Sequence, residues 1–171
     1  MKAMFNLLWV FITMQAMFGC KHAEPETYLI SEGFKGKVNI IFNQEKGTAP
    51  KYEKGRRVYE IPINGVLLTQ FKDEYGLVDH QFYYVDFAGK RTLLKILHDD
   101  IYKDSSSLAN RYEIGIFYDG TTGVYGNSGD PKALHYQEFI VSDFNSLDSF
   151  FKPENQNVFK ATLKEAIGYD F

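Results

Sequence analysis

The chain has 171 residues, of which 44% are hydrophobic, 24% are charged and 16% are aromatic. This length suits one domain with a sizeable core rather than two, and this composition excludes a wholly disordered chain. The net charge is −3 and the basic residues do not cluster, which argues against nucleic acid as a partner.

Residues 1–19 are predicted to be a lipoprotein signal, in which one basic residue, Lys2, precedes an apolar stretch at residues 3–19. This pattern is typical of a secretion signal, because a stretch of this length is short for a membrane-spanning helix. The stretch ends in Met17-Phe18-Gly19-Cys20, which resembles the lipobox of bacterial lipoproteins. A plain signal peptide and an uncleaved anchor are the alternatives.

The resemblance to a lipobox implies a fate for Cys20. In lipoproteins the signal is cut before this cysteine, and the thiol then carries fatty acyl chains such as palmitate. Two or three chains make membrane retention nearly permanent. We therefore expect an anchored protein of the bacterial cell envelope, in the outer membrane, with the membrane as a partner through the N-terminal lipid. Cys20 is the only cysteine in the chain, which excludes disulfides and cysteine-based metal sites.

The chain after the signal divides into a tether and one domain. Residues 20–27 are predicted to be the lipidated cysteine and a polar tether, and residues 28–171 a single domain. Apolar residues that alternate between turn signals predict short strands in this domain. The expected strands include Gly36–Asn43, Arg57–Ile61, Val66–Phe71, Gln81–Phe87, Thr92–Leu97, 112–118 and Leu134–Val141.

Two connections between these strands carry specific predictions. Asn64-Gly65 lies between two apolar runs and predicts a hairpin, because both central residues of such a turn take positive φ. Residues 119–132 contain four glycines without periodicity and are expected to form a long loop.

The end of the chain changes to helical periodicity. Residues 146–151 predict a short helix that Pro153 ends. A second helix is expected to be capped by Asn155 or Asn157 and to stop at Gly168. Seven or eight strands followed by a helix predict a mainly β fold, an antiparallel β-sandwich or small open barrel with a C-terminal helical segment.

Several segments resemble a known family. Residues Tyr28–Val38, YLISEGFKGKV, are similar to the opening of an uncharacterised domain of bacterial lipoproteins, and Val58–Thr69, VYEIPINGVLLT, continues the likeness. Tyr83–Asp86 and Tyr136–Val141 extend it, so that it covers roughly residues 28–144. This family has no assigned activity. The resemblance implies a small extracytoplasmic β-rich domain and transfers no catalytic residue.

Tyrosines flank the predicted glycine loop and suggest a binding surface. Tyr118 and Tyr125 bracket the loop and Asn127 lies within it. Tyr combines an apolar ring with a hydroxyl, which suits a glycan or a protein as ligand, although Tyr is also an ordinary strand former. Asp119 and Asp130 offer carboxylates for a weaker alternative, a calcium site in the same loop.

The sequence favours a binding or structural module of unknown ligand. No histidine and acid spacing typical of a metal or catalytic site occurs, so we expect no enzyme activity, no cofactor and no transition metal. Two alternatives stay open. One is a small hydrolase of envelope polymers that uses Asp or Glu carboxylates, and the other is a calcium-stabilised, adhesion-like domain.

Overall fold

Nine strands in two sheets dominate the part of the chain that the structure describes, residues 23–104, 109–127, 129–130 and 133–168 of a computed structural model. The strands are β1 (Glu26–Ser31), β2 (Gly36–Ile41), β3 (Tyr52–Glu53), β4 (Arg56–Ile61), β5 (Val66–Leu68), β6 (His80–Val85), β7 (Arg91–Leu94), β8 (Gly115–Tyr125) and β9 (Leu134–Ser142). One sheet has the order β3-β4-β1-β6-β7 and the other β5-β2-β9-β8. The predicted mainly β, sandwich-like fold is confirmed.

The two sheets are mixed, whereas the sequence predicts antiparallel pairing. β1 pairs in parallel with both β4 and β6, and β2 pairs in parallel with β5. The chain order explains this difference. After β1 and again after β4 the chain crosses to the other sheet and then returns, so that β1, β4 and β6 all run in the same direction.

The Asn64-Gly65 turn connects the two sheets, and the predicted hairpin is therefore wrong. The turn closes through a hydrogen bond from Gly65 N to Pro62 O of 2.9 Å, and Gly65 has φ of 77°. The strand after the turn, β5, pairs with β2 and not with the strand before it. A turn signal specifies a local change of direction, while strand partners are chosen by distant packing.

The main core lies between the sheets and is rich in aromatic rings. Tyr28, on the central strand β1, stacks on Tyr59 with ring centroids 5.2 Å apart and on Phe82 at 4.5 Å. Phe139 of the opposite sheet meets Tyr28 edge to face at 5.3 Å. These side chains are at most 1% exposed, so this row of rings joins the two sheets.

Helices cover the outer face of the four-stranded sheet. They are α1 (Asp99–Lys103), α2 (Phe144–Leu147), which continues as a 3₁₀ turn (Asp148–Phe151), and α3 (Pro153–Ile167). Leu163 of α3 is buried against Ile41, Val66 and Leu134 of this sheet. The C-terminal helix is confirmed, and it forms a third layer.

The start of α3 differs from the prediction. Pro153 is the first residue of the helix and Lys152 is its N-cap, so the predicted cap at Asn155 or Asn157 is wrong. Proline suits the first helical position because the N–H it lacks has no partner within the helix there. The predicted stop at Gly168 is confirmed, with φ of 84°.

The predicted long loop at residues 119–132 is wrong over its first half. β8 continues to Tyr125 and pairs with β9 along its whole length, apart from a register shift between Phe117 and Thr121. This shift is a bulge, in which Tyr118 has φ of 57° and Gly120 φ of 73°. Glycines and a bulge hide the alternation of a strand from sequence analysis.

No helix of the described ranges is long and apolar enough to cross a membrane.

The short helix α2 depends on one carboxylate, which gives a first testable prediction. Asp143 Oδ1 accepts a hydrogen bond from Ser146 N at 3.0 Å, and Asp143 Oδ2 lies 3.0 Å from Lys35 Nζ. Asp143→Ala is expected to lower the free energy of unfolding by about 1 kcal/mol, measured by urea denaturation. Lys35→Ala removes only the half-exposed ion pair and should cost less than half as much. Equal losses would show that the cap does not stabilise the protein.

Candidate ligand-binding cleft

Three parallel strands bring charged side chains into one row. The register aligns Glu26 of β1 with Arg57 of β4 and with His80 of β6. Two positions further along these strands, the same register aligns the stacked aromatic rings described above. Because alternate residues of a strand face the same side, the charged row and the aromatic row both face the second sheet. Glu26 is consequently only 5% exposed.

Hydrogen bonds hold the Glu26 carboxylate in place. The Tyr59 hydroxyl donates to Glu26 Oε1 at 3.0 Å, and the Tyr28 hydroxyl donates to Glu26 Oε2. Gln137, on the opposite sheet, donates to the Tyr28 hydroxyl at 2.8 Å. His80 Nε2 lies 3.3 Å from Glu26 Oε2. The carboxylate therefore connects three strands of one sheet and, through Gln137, the other sheet.

The β8 bulge supplies a second carboxylate to His80. Asp119 lies between the two left-handed residues of the bulge, and its Oδ2 is 3.6 Å from His80 Nδ1. A bulge redirects the side chains of a strand, which explains why this acid reaches the imidazole. Glu26, Asp119, His80, Tyr28 and Tyr59 are called the Glu26–His80 cluster below.

The cluster changes the protonation of its members. Burial alone would lower the pKa of His80, but the nearby carboxylates of Asp119 and Glu26 outweigh burial and raise this pKa to about 9. His80 is therefore an imidazolium at neutral pH. Burial, and then the neighbouring charge of Glu26, raise the pKa of Tyr28 well above its usual value, so that its hydroxyl stays a hydrogen-bond donor.

The cluster opens into a cleft of about 220 Å³ between the sheets. It is lined by Glu26, Glu74, Tyr75, Gly76, Leu77, Val78, His80, Gly120, Thr122 and Gln137. His80 Nε2 is buried here and has no aligned hydrogen-bond partner among the described residues, although Glu26 is near. A strongly perturbed ionisable group in a cleft is a candidate functional site.

The protonation of His80 gives a second testable prediction. NMR titration of its ring is expected to give a pKa of about 9. Asp119→Asn removes a negative charge 3.6 Å from Nδ1 and should lower this pKa. His98, which lies outside the cluster, should not respond to the Asp119 substitution. A His80 pKa that stays the same in Asp119→Asn would show that Asp119 does not face the ring in solution.

The structure does not gather the predicted binding residues into one site. The Tyr118 ring meets Phe151 edge to face at 5.6 Å, in a cleft of about 310 Å³. Tyr125 lines a different cleft, of about 510 Å³, between β8 and α3, where its hydroxyl donates to Asn39 Oδ1 at 2.9 Å. Asn127 lies in the loop beyond β8.

The two acids of the calcium alternative lie apart. Asp119 faces His80 from the bulge, whereas Asp130 lies beyond the other end of β8, where its backbone N–H donates to Asn127 O at 3.0 Å. Among the described residues, no three His, Cys, Asp or Glu side chains form a group that could hold a metal ion. Cys20, the predicted lipidation site, lies outside the described residues.

Sequence analysis missed the two central residues of the cleft. Glu26 falls in the predicted tether, yet it is the first residue of β1 and shares a face with Tyr28 and Ile30. His80 likewise precedes its predicted strand by one residue and shares a face with Phe82. Each of these residues lies two positions before a core-facing aromatic residue. Continuing the two-residue period of each strand toward its start would have placed both on the core-facing side.

Comparisons with known proteins agree with this fold. A crystal structure described as "Putative Lipoprotein from Bacillus anthracis" is similar, with a TM-score of 0.51 and 18% sequence identity over 71% of each chain. At this identity the likeness concerns the fold alone. No curated protein matches the chain. Residues 22–150 match a family of unknown function, DUF6843. This match spans most of the chain and confirms the predicted resemblance, so the chain belongs to the DUF6843 family.

Proposed function

We propose that this protein is a lipoprotein of the bacterial cell envelope, cut before Cys20, acylated on that thiol and held in the outer membrane, and that its domain binds a ligand in the Glu26–His80 cleft. The lipobox at residues 17–20 supports the anchor. The name of the similar structure from Bacillus anthracis fits this part of the proposal. β1 begins at Glu26, so the domain follows the anchor almost directly.

One observation carries the binding part of the proposal: a buried imidazolium and a buried carboxylate meet at a cleft, and the imidazolium nitrogen has no aligned partner in the part of the chain that the structure describes. A hydroxyl group suits this pair, because it donates to a carboxylate while it accepts from an imidazolium. The exposed ring of Tyr75 at the rim offers a surface for stacking. We therefore propose a small hydroxylated ligand, such as one sugar unit of a glycan.

N-acetylglucosamine is a suitable probe for the cleft. In millimolar amounts it is expected to shift the NMR signals of the His80 ring and to leave those of His98 unchanged. Glu26→Gln, which keeps the shape of the side chain but removes its charge, should weaken this response. Equal shifts of both rings, or none, would contradict a hydroxyl-binding cleft.

A hydrolase is the second candidate, favoured by one observation: Glu26 and Asp119 approach His80 from opposite sheets. Paired carboxylates are the usual groups for glycoside hydrolysis. We place binding first because both Glu26 oxygens already accept hydrogen bonds from tyrosine hydroxyls. Release of reducing ends from an envelope glycan by the wild type, but not by Glu26→Gln, would replace the binding proposal by this one.

The anchor is tested by metabolic labelling with an alkyne analogue of palmitate. The wild type should take up the label and sediment with membranes, whereas Cys20→Ala should do neither. A Cys20→Ala protein that still carries label and stays in the membrane fraction would contradict acylation at this residue.

A further inference from the structure

The start of the described chain runs beside one short segment of the domain. Ala23 N donates to Leu77 O at 3.2 Å, Glu24 N to Glu74 Oε2 at 3.1 Å, and Glu26 N to Asp79 O at 2.9 Å. Residues 74–79, called the rim segment, therefore lie directly alongside residues 23–26. The same segment supplies Glu74, Tyr75, Gly76, Leu77 and Val78 to the lining of the cleft.

Chain length fixes how far the rim segment can be from the lipid. Only three residue steps separate Cys20 from Ala23. Even a fully extended chain spans about 11 Å in three steps. The acylated thiol must therefore stay close to Leu77 in every orientation of the domain.

The rim segment exposes side chains that suit a lipid interface. Tyr75 is 59% exposed and Leu77 is 65% exposed. Tyrosine is enriched at the boundary between lipid and water, where its ring is buried and its hydroxyl stays hydrated. Contact of the Leu77 side chain with acyl chains would remove its apolar surface from water, which is favourable.

The opposite end of the sheet carries comparable apolar side chains but is far from the anchor. β1 and β6 run in parallel, so the turn after β6, which holds the fully exposed Phe87, lies at the other end from Ala23. The six residues of β1 alone account for roughly 17 Å of this separation. Exposed apolar side chains therefore occur at both ends of the sheet, but only the rim segment lies close to the anchor.

We infer that Tyr75 and Leu77 of the rim segment contact the bilayer that holds the Cys20 lipid, so that the Glu26–His80 cleft opens at the membrane surface. This inference rests on the proposed acylation of Cys20. It adds a second membrane contact, made by the domain itself, and it places the proposed ligand among the lipid headgroups rather than in the bulk solution.

Tryptophan fluorescence tests the inference, because Trp9 is the only tryptophan and it leaves with the signal. Leu77→Trp and the matched control Phe87→Trp each introduce one fluorophore at an exposed position. The protein without its signal, purified from the membranes of cells that express the full chain, is reconstituted in phosphatidylcholine vesicles with either normal or brominated acyl chains. Far-ultraviolet circular dichroism confirms that both variants fold.

Brominated chains are expected to quench Leu77→Trp at least twofold and to leave Phe87→Trp within about a tenth of its intensity in normal vesicles. Equal emission of Leu77→Trp in both vesicles, or a blue-shifted emission without quenching as in a protein contact, would overturn the inference. Mass spectrometry of the same sample separates the two claims. An acylated but unquenched Leu77→Trp protein overturns the membrane contact alone, whereas a bare Cys20 thiol overturns both proposals.

Discussion

Replacing Glu26 by alanine is expected to lower the free energy of unfolding by about 3–5 kcal/mol at pH 7, the range for removing one partner of a buried ion pair. The substitution leaves the His80 imidazolium without its buried counter-charge, and it leaves the Tyr28 and Tyr59 hydroxyls without their acceptor. Chemical denaturation monitored by circular dichroism measures the loss. Glu53→Ala is the control, because it breaks a more exposed pair with Arg91 and should cost less than about 1 kcal/mol.

The stability that Glu26→Ala loses should also depend on pH. The pKa of His80 is raised from 6.5 to about 9 in the folded protein. A raised histidine pKa means that the stabilisation is complete below pH 6.5 and disappears as the pH rises through about 9. The wild type should therefore lose stability over this range, and the difference between wild type and Glu26→Ala should shrink. A loss below about 1 kcal/mol that does not change with pH would contradict a charged cluster.

Replacing Gly65 by alanine is expected to cost roughly 2–5 kcal/mol, from left-handed backbone strain together with overpacking. Gly65 has φ of 77°, and an added Cβ would collide with the carbonyl oxygen of Lys37 on β2. This oxygen belongs to the backbone of a paired strand, so it cannot move aside as a flexible side chain would. The melting temperature and the urea midpoint report the loss.

Gly89→Ala is the matched control for Gly65→Ala. Gly89 has nearly the same φ, 81°, but apart from its chain neighbours no atom of the described residues lies within 4 Å of the position that an added methyl group would occupy. It should cost only about 1–2 kcal/mol, the conformational part alone. The difference between the stability costs of the two variants measures the effect of the close contact between the inter-sheet turn and β2. Equal losses would mean that the turn does not press against that strand.

The strands could largely be predicted from sequence, because alternation of apolar residues reports one buried face. Val38 and Ile40 face the core as their spacing indicates. The partners of each strand could not be predicted in this way. Asn64-Gly65 has the local signature of a hairpin, but β5 lies in the other sheet and pairs there with β2, and nothing within the turn encodes that choice.

The candidate cleft was harder to predict than the fold, because its residues come from three separated parts of the chain. Glu26 and His80 meet only through the parallel register of β1 and β6. Asp119 reaches His80 only because of a bulge in a glycine-rich stretch that has no periodicity. The predicted tyrosines do not share a site, because Tyr118 lies in the bulge and Tyr125 at the end of β8, and they line different clefts.

Acylation of Cys20, which would hold the domain to a membrane, can be read from the intact mass of the protein extracted from the membranes of a bacterium that expresses the full chain. We expect a polypeptide that begins at Cys20 and carries the added mass of a diacylglyceryl group, with or without a further acyl chain on the new amine. A chain that still begins at Met1, or one with an unmodified thiol, would contradict it.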